Sequence, residues 1–393
     1  MMFTKEGMHL NPSTPSEVAT WYSHKTQLEP RMDSLHGMFL AETLRTAKTE
    51  LEKLAVINNY VRSTIRYVAD ERGMNAIVPR DPDLVAERKY GDCKDRAALV
   101  FALARQYGVN VSMAMLSTQA LPPFAQTQCR FFNHVICAYK QSQATLFFDP
   151  TAQYCEFGNL PDDDIGARAL VLDPLEPRTE VIALPNRPPS LDIKLAADPD
   201  SLTQGNAVII LRNGYASSAR HSFHDLNEEK WKAFLQSTVA MNLYQIYLDK
   251  FSLVSEDARS LTVSARADLS KFVVSSGTKC YVPRLPFMTI DNDILERTSD
   301  SFPVYFSTQI GMRLELKIKT TGFSIQSDTQ TIGRDDAGFS FTSIATHSND
   351  GVTLRYEYSR NLKYLEGRQK QEFLIFHREY LKSKKTMFVL GKD

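Results

Sequence analysis

Tyr90-Gly91-Asp92-Cys93-Lys94-Asp95-Arg96-Ala97 sets a cysteine at the head of a helix-like run that continues from Asp95 to Tyr107. A glycine leads into it, so the thiol falls on the first helical turn. The unpaired N–H groups there act like about half a positive charge, which favours the thiolate, the nucleophilic form of cysteine. An imidazolium partner helps more, because His-paired cysteines reach pKa values of roughly 3–4. Asp92 and Asp95 flank Cys93 and oppose its ionisation if their charges face the sulfur; Lys94 offsets them in part.

Downstream, Asn133-His134-Val135 and Phe148-Asp149-Pro150 each fall inside a strand-like segment. The polar Lys140-Gln141-Ser142-Gln143 between them reads as a hairpin turn. If Tyr139 faces Ala144, His134 lies directly opposite Asp149. Such side chains share a sheet face with Cβ atoms about 4.5–5.5 Å apart. The carboxylate can then accept a hydrogen bond from the imidazole and hold its tautomer and orientation. A slip of one residue would separate them. Cys93, His134 and Asp149 are therefore the candidate nucleophile, general base and acid, and orienting group.

The rival use of Cys93, Cys129, His134, Cys137 and Cys155 is zinc ligation. No C-x-x-C pair exists, and His134 and Cys137, three apart on a strand, point to opposite faces. No Gly-rich phosphate loop appears, so neither a metal nor a cofactor is expected. His221 and His224 have no nucleophile nearby and read as surface groups.

Outward from the cysteine, Thr49-Glu50-Leu51-Glu52 has the form of a capping box. Leu54, Ile57, Val61 and Ile65 then recur at helical spacing before an extended Arg66-Tyr67-Val68. Behind Cys93, Leu99, Ala102 and Leu103 form one stripe and Gly108 supplies the C-terminal cap. Val109, Val111, Met113 and Met115 alternate as in a strand. Pro174, Pro177, Pro185, Pro188 and Pro189 crowd together and predict a linker over 176–190. Beyond it Ala207 to Leu211, Leu261 to Ala265, Leu314 to Ile318, Phe339 to Ile344 and Val352 to Tyr358 read as strands. A long helix from Asn227 to Asp249 and a charged one from Leu365 to Lys382 interrupt them. The expected class is α+β: a catalytic domain over 1–175, the linker, and an antiparallel β-rich domain with helical insertions over 191–393.

The 393 residues suit two domains. Lys+Arg and Asp+Glu balance at 46 each, so no overall field draws in nucleic acid. The basic cluster Lys382-Ser383-Lys384-Lys385 reads as solvated. No apolar stretch approaches the roughly 18 residues of a membrane helix. Met1 to Gly7 lacks the apolar core of a signal peptide. Five cysteines are too few and too uneven for a disulfide framework.

The same residues resemble the bacterial transglutaminase-like superfamily, in particular members whose core lies between an N-terminal β-domain and a C-terminal β-domain. The matching pieces are Trp21-Tyr22, Ile65-Arg66-Tyr67, Gly73 to Pro79, Tyr90 to Asp95, Asn133-His134-Val135, Asp149-Pro150-Thr151-Ala152 and Phe157-Gly158. The resemblance spans about residues 12 to 175, with a looser likeness around Tyr281-Val282-Pro283-Arg284-Leu285-Pro286. It implies a papain/transglutaminase-like core in which Cys93 is the nucleophile, His134 the base and acid, and Asp149 the orienting carboxylate. It also implies an oxyanion donor upstream of the cysteine, for which Tyr67 is the nearest matching position. The family's N-terminal β-domain has no counterpart in this sequence. Members are often exported; the sequence itself assigns no compartment.

The expected function is thiol-dependent acyl transfer on amide bonds of a protein or peptide substrate. Hydrolysis is favoured over cross-linking because water is always at hand. The alternative is a binding or scaffold protein with a vestigial core. Substrate, acyl acceptor and oligomeric state have no signature in the sequence.

Overall fold

The computed structural model describes residues 14–26, 37–70, 72–119, 132–173, 176–185, 188–198, 201–225, 227–240, 242–257, 260–287, 303–306, 309–319, 323–326, 332–336, 338–348 and 350–392. Cys129 and Met1 to Gly7 lie outside them. The chain divides into two compact units, Met1–Arg187 and Pro188–Asp393.

The first unit sets five helices with a five-stranded sheet. The helices are α1 (Pro15–Thr26), α2 (Gly37–Thr46), α3 (Glu50–Thr64), α4 (Pro82–Arg88) and α5 (Cys93–Gln106). A short parallel pair, β1 (Arg66–Tyr67) and β2 (Tyr90–Gly91), precedes the sheet proper. That sheet comprises β3 (Ser112–Leu116), β4 (His134–Lys140), β5 (Thr145–Phe148), β6 (Arg168–Asp173) and β7 (Glu176–Ala183), in the order β5-β4-β3-β6-β7. Every pairing in it is antiparallel. The predicted capping box at Thr49 is present: its hydroxyl accepts from the Glu52 N–H while the Glu52 carboxylate accepts from the Thr49 N–H.

α5 is more central than its predicted stripe. Every residue from Lys94 to Ala104 is buried, so the helix packs apolar side chains on all sides rather than along one face. Gly108, at φ +76°, takes the left-handed conformation that ends the helix.

Two sequence expectations change here. Residues 176–183, expected within the linker, form β7 and pair with β6 from Arg168↔Ala183 to Leu172↔Thr179. Pro177 is accommodated because β7 is the edge strand. The β4–β5 register is also offset by two residues: Tyr139 faces Leu146, not Ala144. The turn is the four residues 141–144, closed by Gln141 N–H donating to Ala144 C=O at 2.8 Å. A two-residue offset keeps each side chain on its predicted sheet face, whereas a single slip would have inverted it.

The second unit is built on an eight-stranded sheet. Its order is β10 (Tyr247–Glu256), β11 (Ser260–Asp268), β9 (Ser201–Arg212), β8 (Ser190–Asp198), β15 (Ile310–Ile318), β19 (Gly351–Arg360), β18 (Phe339–Ser348) and β17 (Ile332–Asp336). The central β8–β15 pair is parallel and the others are antiparallel. A four-stranded sheet of β12 (Val274–Ser276), β13 (Lys279–Pro283), β21 (Met387–Lys392) and β16 (Phe323–Ile325) accompanies it, with a minor pair β14 (Val304–Tyr305) and β20 (Tyr364–Leu365). Alternate residues of the large sheet enter a core shared with α6 (Gly214–Asp225), α7 (Glu228–Ala240) and α8 (Gly367–Lys384). The helix expected from Asn227 to Asp249 therefore ends at Ala240, and Tyr247 onward is strand. Its Leu248 and Phe251 pack in the same core, so the burial that suggested helix is met by extended chain.

Candidate active site

Cys93 is the first residue of α5, and its flanking carboxylates are spent on the helix rather than aimed as loose charges. Asp92 is the N-cap and accepts from the Asp95 N–H at 3.3 Å; Asp95 reciprocates by accepting from the Asp92 N–H at 3.1 Å. Lys94 Nζ donates to Asp92. Arg80 supplies both its backbone N–H, at 2.8 Å, and its guanidinium to Asp95, and a second guanidinium N–H to Asp70. All of Asp92, Lys94 and Asp95 are buried, so each charge meets an opposite partner or a helix N–H, as buried charges must. Gly91 is needed for this close approach: a Cβ there would lie 2.7 Å from the Asp95 Cβ.

His134 opens β4 opposite Leu116. The preceding Asn133 fixes the chain there, its side-chain carbonyl oxygen accepting from the Thr118 N–H at 3.0 Å and its own backbone N–H donating to the Leu116 C=O at 3.1 Å. Asp149 lies one residue past the end of β5, diagonal to His134 rather than opposite it. The pair still meets: His134 Nε2 is 3.2 Å from Asp149 Oδ2. Thr151 holds the carboxylate from the other side, with its N–H at 2.7 Å from Oδ1 and its hydroxyl at 2.8 Å from Oδ2. Cys93 also acts on the imidazole, favouring its protonated form. Burial alone would lower the His134 pKa, but the bond to Asp149, the nearby Cys93 and the charges of Asp149 and Asp164 push it up to about 11. His134 is thus favoured as an imidazolium beside its carboxylates.

Tyr67 reaches the same neighbourhood by another route. β1 pairs with β2 through Tyr67↔Gly91, and the Val68 N–H donates to the Gly91 C=O at 3.0 Å. The ring is 48 % exposed. Partial burial and the electrostatic influence of Cys93, Asp92 and Asp149 push its pKa up to about 12, so it keeps its proton and remains a donor.

Two residues at this site have no role in the sequence reading. Arg96 is buried and donates to the Ile65 C=O and, at 3.0 Å, to the Pro150 C=O. Its guanidinium lies 5.6 Å from the Tyr67 ring centroid. One arginine on the Cys93 helix therefore ties down the segments that carry Tyr67 and Asp149. Its visible signal was a cation set directly before the apolar run Ala97 to Ala104. Asp164 is fully buried, with Oδ1 at 4.0 Å from His134 Nε2. It stands in the acidic run Asp162-Asp163-Asp164, where nothing local marks it from its neighbours.

Of the other cysteines, Cys137, Cys155 and Cys280 are buried, and burial raises the Cys137 thiol well above its usual value. Cys93 is partly open. His134, Asp149 and Asp164 bring one ligand atom each within 4.8 Å of one another, enough to contact a cation, although the cysteines of the sequence-level zinc alternative are not among them. His224, on α6, pairs with Glu256 of β10 at 3.1 Å. A cavity of about 540 Å³, lined by Leu40, Val56, Tyr60, Arg62, Gln153 and Tyr154 among others, abuts the loop after Asp149. Among the described residues, no helix is long and apolar enough to cross a membrane.

The transglutaminase-like superfamily profile matches residues 38–140, a span that includes Cys93 and His134 and ends before Asp149. Among solved structures, the chain is similar to a candidate protease from Parabacteroides distasonis, with 11 % identity and a TM-score of 0.51 over 96 % of this chain and 59 % of that one. The chain thus spans less than two thirds of that protein's length. It is also similar to Legionella pneumophila LapG, with 12 % identity and a TM-score of 0.18 over 43 % of this chain and 76 % of LapG. No curated protein matches the chain by sequence. The fold is similar to that of the transglutaminase-like superfamily over residues 38–140 and to that of the first neighbour over most of the chain.

Proposed function

We propose that this chain, a transglutaminase-like superfamily protein through residues 38–140, is a thiol acyl-transfer enzyme acting on amide bonds of a protein or peptide. The observation that carries the reading is His134, 3.2 Å from Asp149 and close enough to Cys93 for the cysteine to favour its protonated form. The Cys93 sulfur attacks the amide carbonyl and forms a C–S bond. The oxyanion that develops is met by the N-terminal N–H groups of α5 and by the Tyr67 hydroxyl. His134 donates its proton to the departing amine as the C–N bond breaks, leaving a thioester on Cys93. Neutral His134 then takes a proton from water, which attacks the thioester, and returns it to the departing sulfur. Asp149, held by Thr151, keeps the imidazole aligned through both halves.

Hydrolysis is preferred over cross-linking because water needs no second binding site; likeness to a candidate protease is in keeping with that preference. The test is labelling with iodoacetamide and with a peptide-based thiol probe. Wild-type protein is expected to label at Cys93 near pH 6, with labelling slowed in His134→Ala and absent at that position in Cys93→Ala. Equal labelling of wild type and His134→Ala, rising only near pH 8.5 like an ordinary thiol, would favour the scaffold reading instead.

A further inference from the structure

The turn after Asp149 returns a second carboxylate to the histidine. Leu160 and Ile165 anchor this turn in an apolar cluster with Leu116, Ile136 and Phe147. Asp164 N–H donates to the Pro161 C=O at 3.0 Å, and the Ala167 N–H donates to the Asp164 C=O at 3.1 Å. The Ala167 C=O in turn accepts from the Leu184 N–H at 2.8 Å, just past the end of β7. Asp164 therefore sits on a braced turn, its side chain fully buried. Withdrawing a carboxylate from water costs several kcal/mol unless charge compensates it. A cation set against it, at 4.0 Å, is His134.

We propose that Asp164 is a second positioning carboxylate for His134, sharing with Asp149 the Nε2 side of the imidazole so that the ring is held from two directions. Asp149 takes the hydrogen bond at 3.2 Å, and Asp164 contributes charge from 4.0 Å. The division has a chemical use. When Cys93 is acylated its sulfur no longer carries charge, and His134 loses one of the groups that favour its protonated form. Asp164 is untouched by that step and keeps the imidazole basic enough to draw a proton from water. The charged and titratable groups around the imidazole are Cys93 from the head of α5, Asp149 from the end of β5 and Asp164 from the turn. Arg62 and Arg96 act on the same site through Asp149, and Tyr67 through Cys93 and Asp149.

This inference rests on the acyl-transfer reading for its use, but its test needs no substrate. The side-chain NMR signals of His134 are followed against pH in wild type and in Asp164→Asn. The titration midpoint is expected to fall by about 1–3 pH units on losing a carboxylate at this range. An unchanged midpoint in a folded Asp164→Asn protein would overturn the proposal. If that variant does not fold, Cys93→Ala/Asp149→Asn leaves Asp164 as the remaining carboxylate of the pair. Its His134 midpoint should stay above the ordinary histidine value of about 6.5, and a midpoint at or below it overturns the proposal. Loss of probe labelling with the His134 titration as expected would remove the enzymatic reading and leave this one standing.

Discussion

His134 in the first unit and His377 in the second are both largely withdrawn from water, yet their surroundings drive their charge in opposite directions. His377 lies on α8, stacked on Phe373 with ring centroids 6.0 Å apart. Burial lowers its pKa to about 4, with the Lys384 charge adding to the effect. His134 also carries a burial penalty but meets Asp149, Asp164 and Cys93, and is pushed up. A buried histidine is thus a poor marker of chemistry by itself; the groups facing it decide whether it is a core residue or a proton carrier.

The comparison breaks most sharply at the nucleophiles. Cys93→Ala should abolish turnover, by as much as about 10⁶-fold if the triad acts as a unit, whereas Cys280→Ser should leave it unchanged. Assays of a peptide substrate with both folded variants check this, and an essential Cys280 would move the chemistry into the second unit. Next in size is His134→Ala, expected to slow turnover by roughly 10²–10⁴-fold because both thiolate stabilisation and proton donation go. His377→Phe should not alter it. Asp149→Asn should cost less than Cys93→Ala or His134→Ala, since the nucleophile and proton carrier remain; in the subtilisin triad the aspartate is likewise the least costly member to lose. Tyr67→Phe should cost about 10-fold in kcat, less than a buried oxyanion donor, because a half-exposed hydroxyl is already solvated.

The smallest expected effect is on stability and separates the histidines by sign. His377 binds its proton less readily when folded, so its contribution is intact above about pH 6.5 and is lost as pH falls toward about 4. The slope is at most that of one proton, about 1.4 kcal/mol per pH unit. His134 binds its proton more readily when folded, so its contribution is complete below about pH 6.5 and is lost as pH rises through its elevated value. Denaturant titrations across pH should therefore show His377→Phe flattening the acid limb and His134→Ala flattening the alkaline one.

The sequence by itself determined what depends on short stretches of chain. The capping box at Thr49, the helix beginning at Cys93, the glycine that ends it and the order of cysteine, histidine and aspartate were legible because hydrogen bonds and apolar periodicity within a few residues dictate them. The face shared by His134 and Asp149 was legible too, since strand alternation survives an even offset. Only the tertiary structure decided the offset itself: the four-residue turn falls at 141–144 rather than 140–143, closed by the Gln141 bond to Ala144, and Thr151 fixes Asp149 beyond the strand end. The same holds for the partners of distant charges: Arg80 reaches Asp95, Arg96 joins Ile65 to Pro150, and Asp164 returns to His134. Residues that far apart in the chain meet only when the core closes, because burial forces every charge it encloses to find an opposite partner or a hydrogen bond.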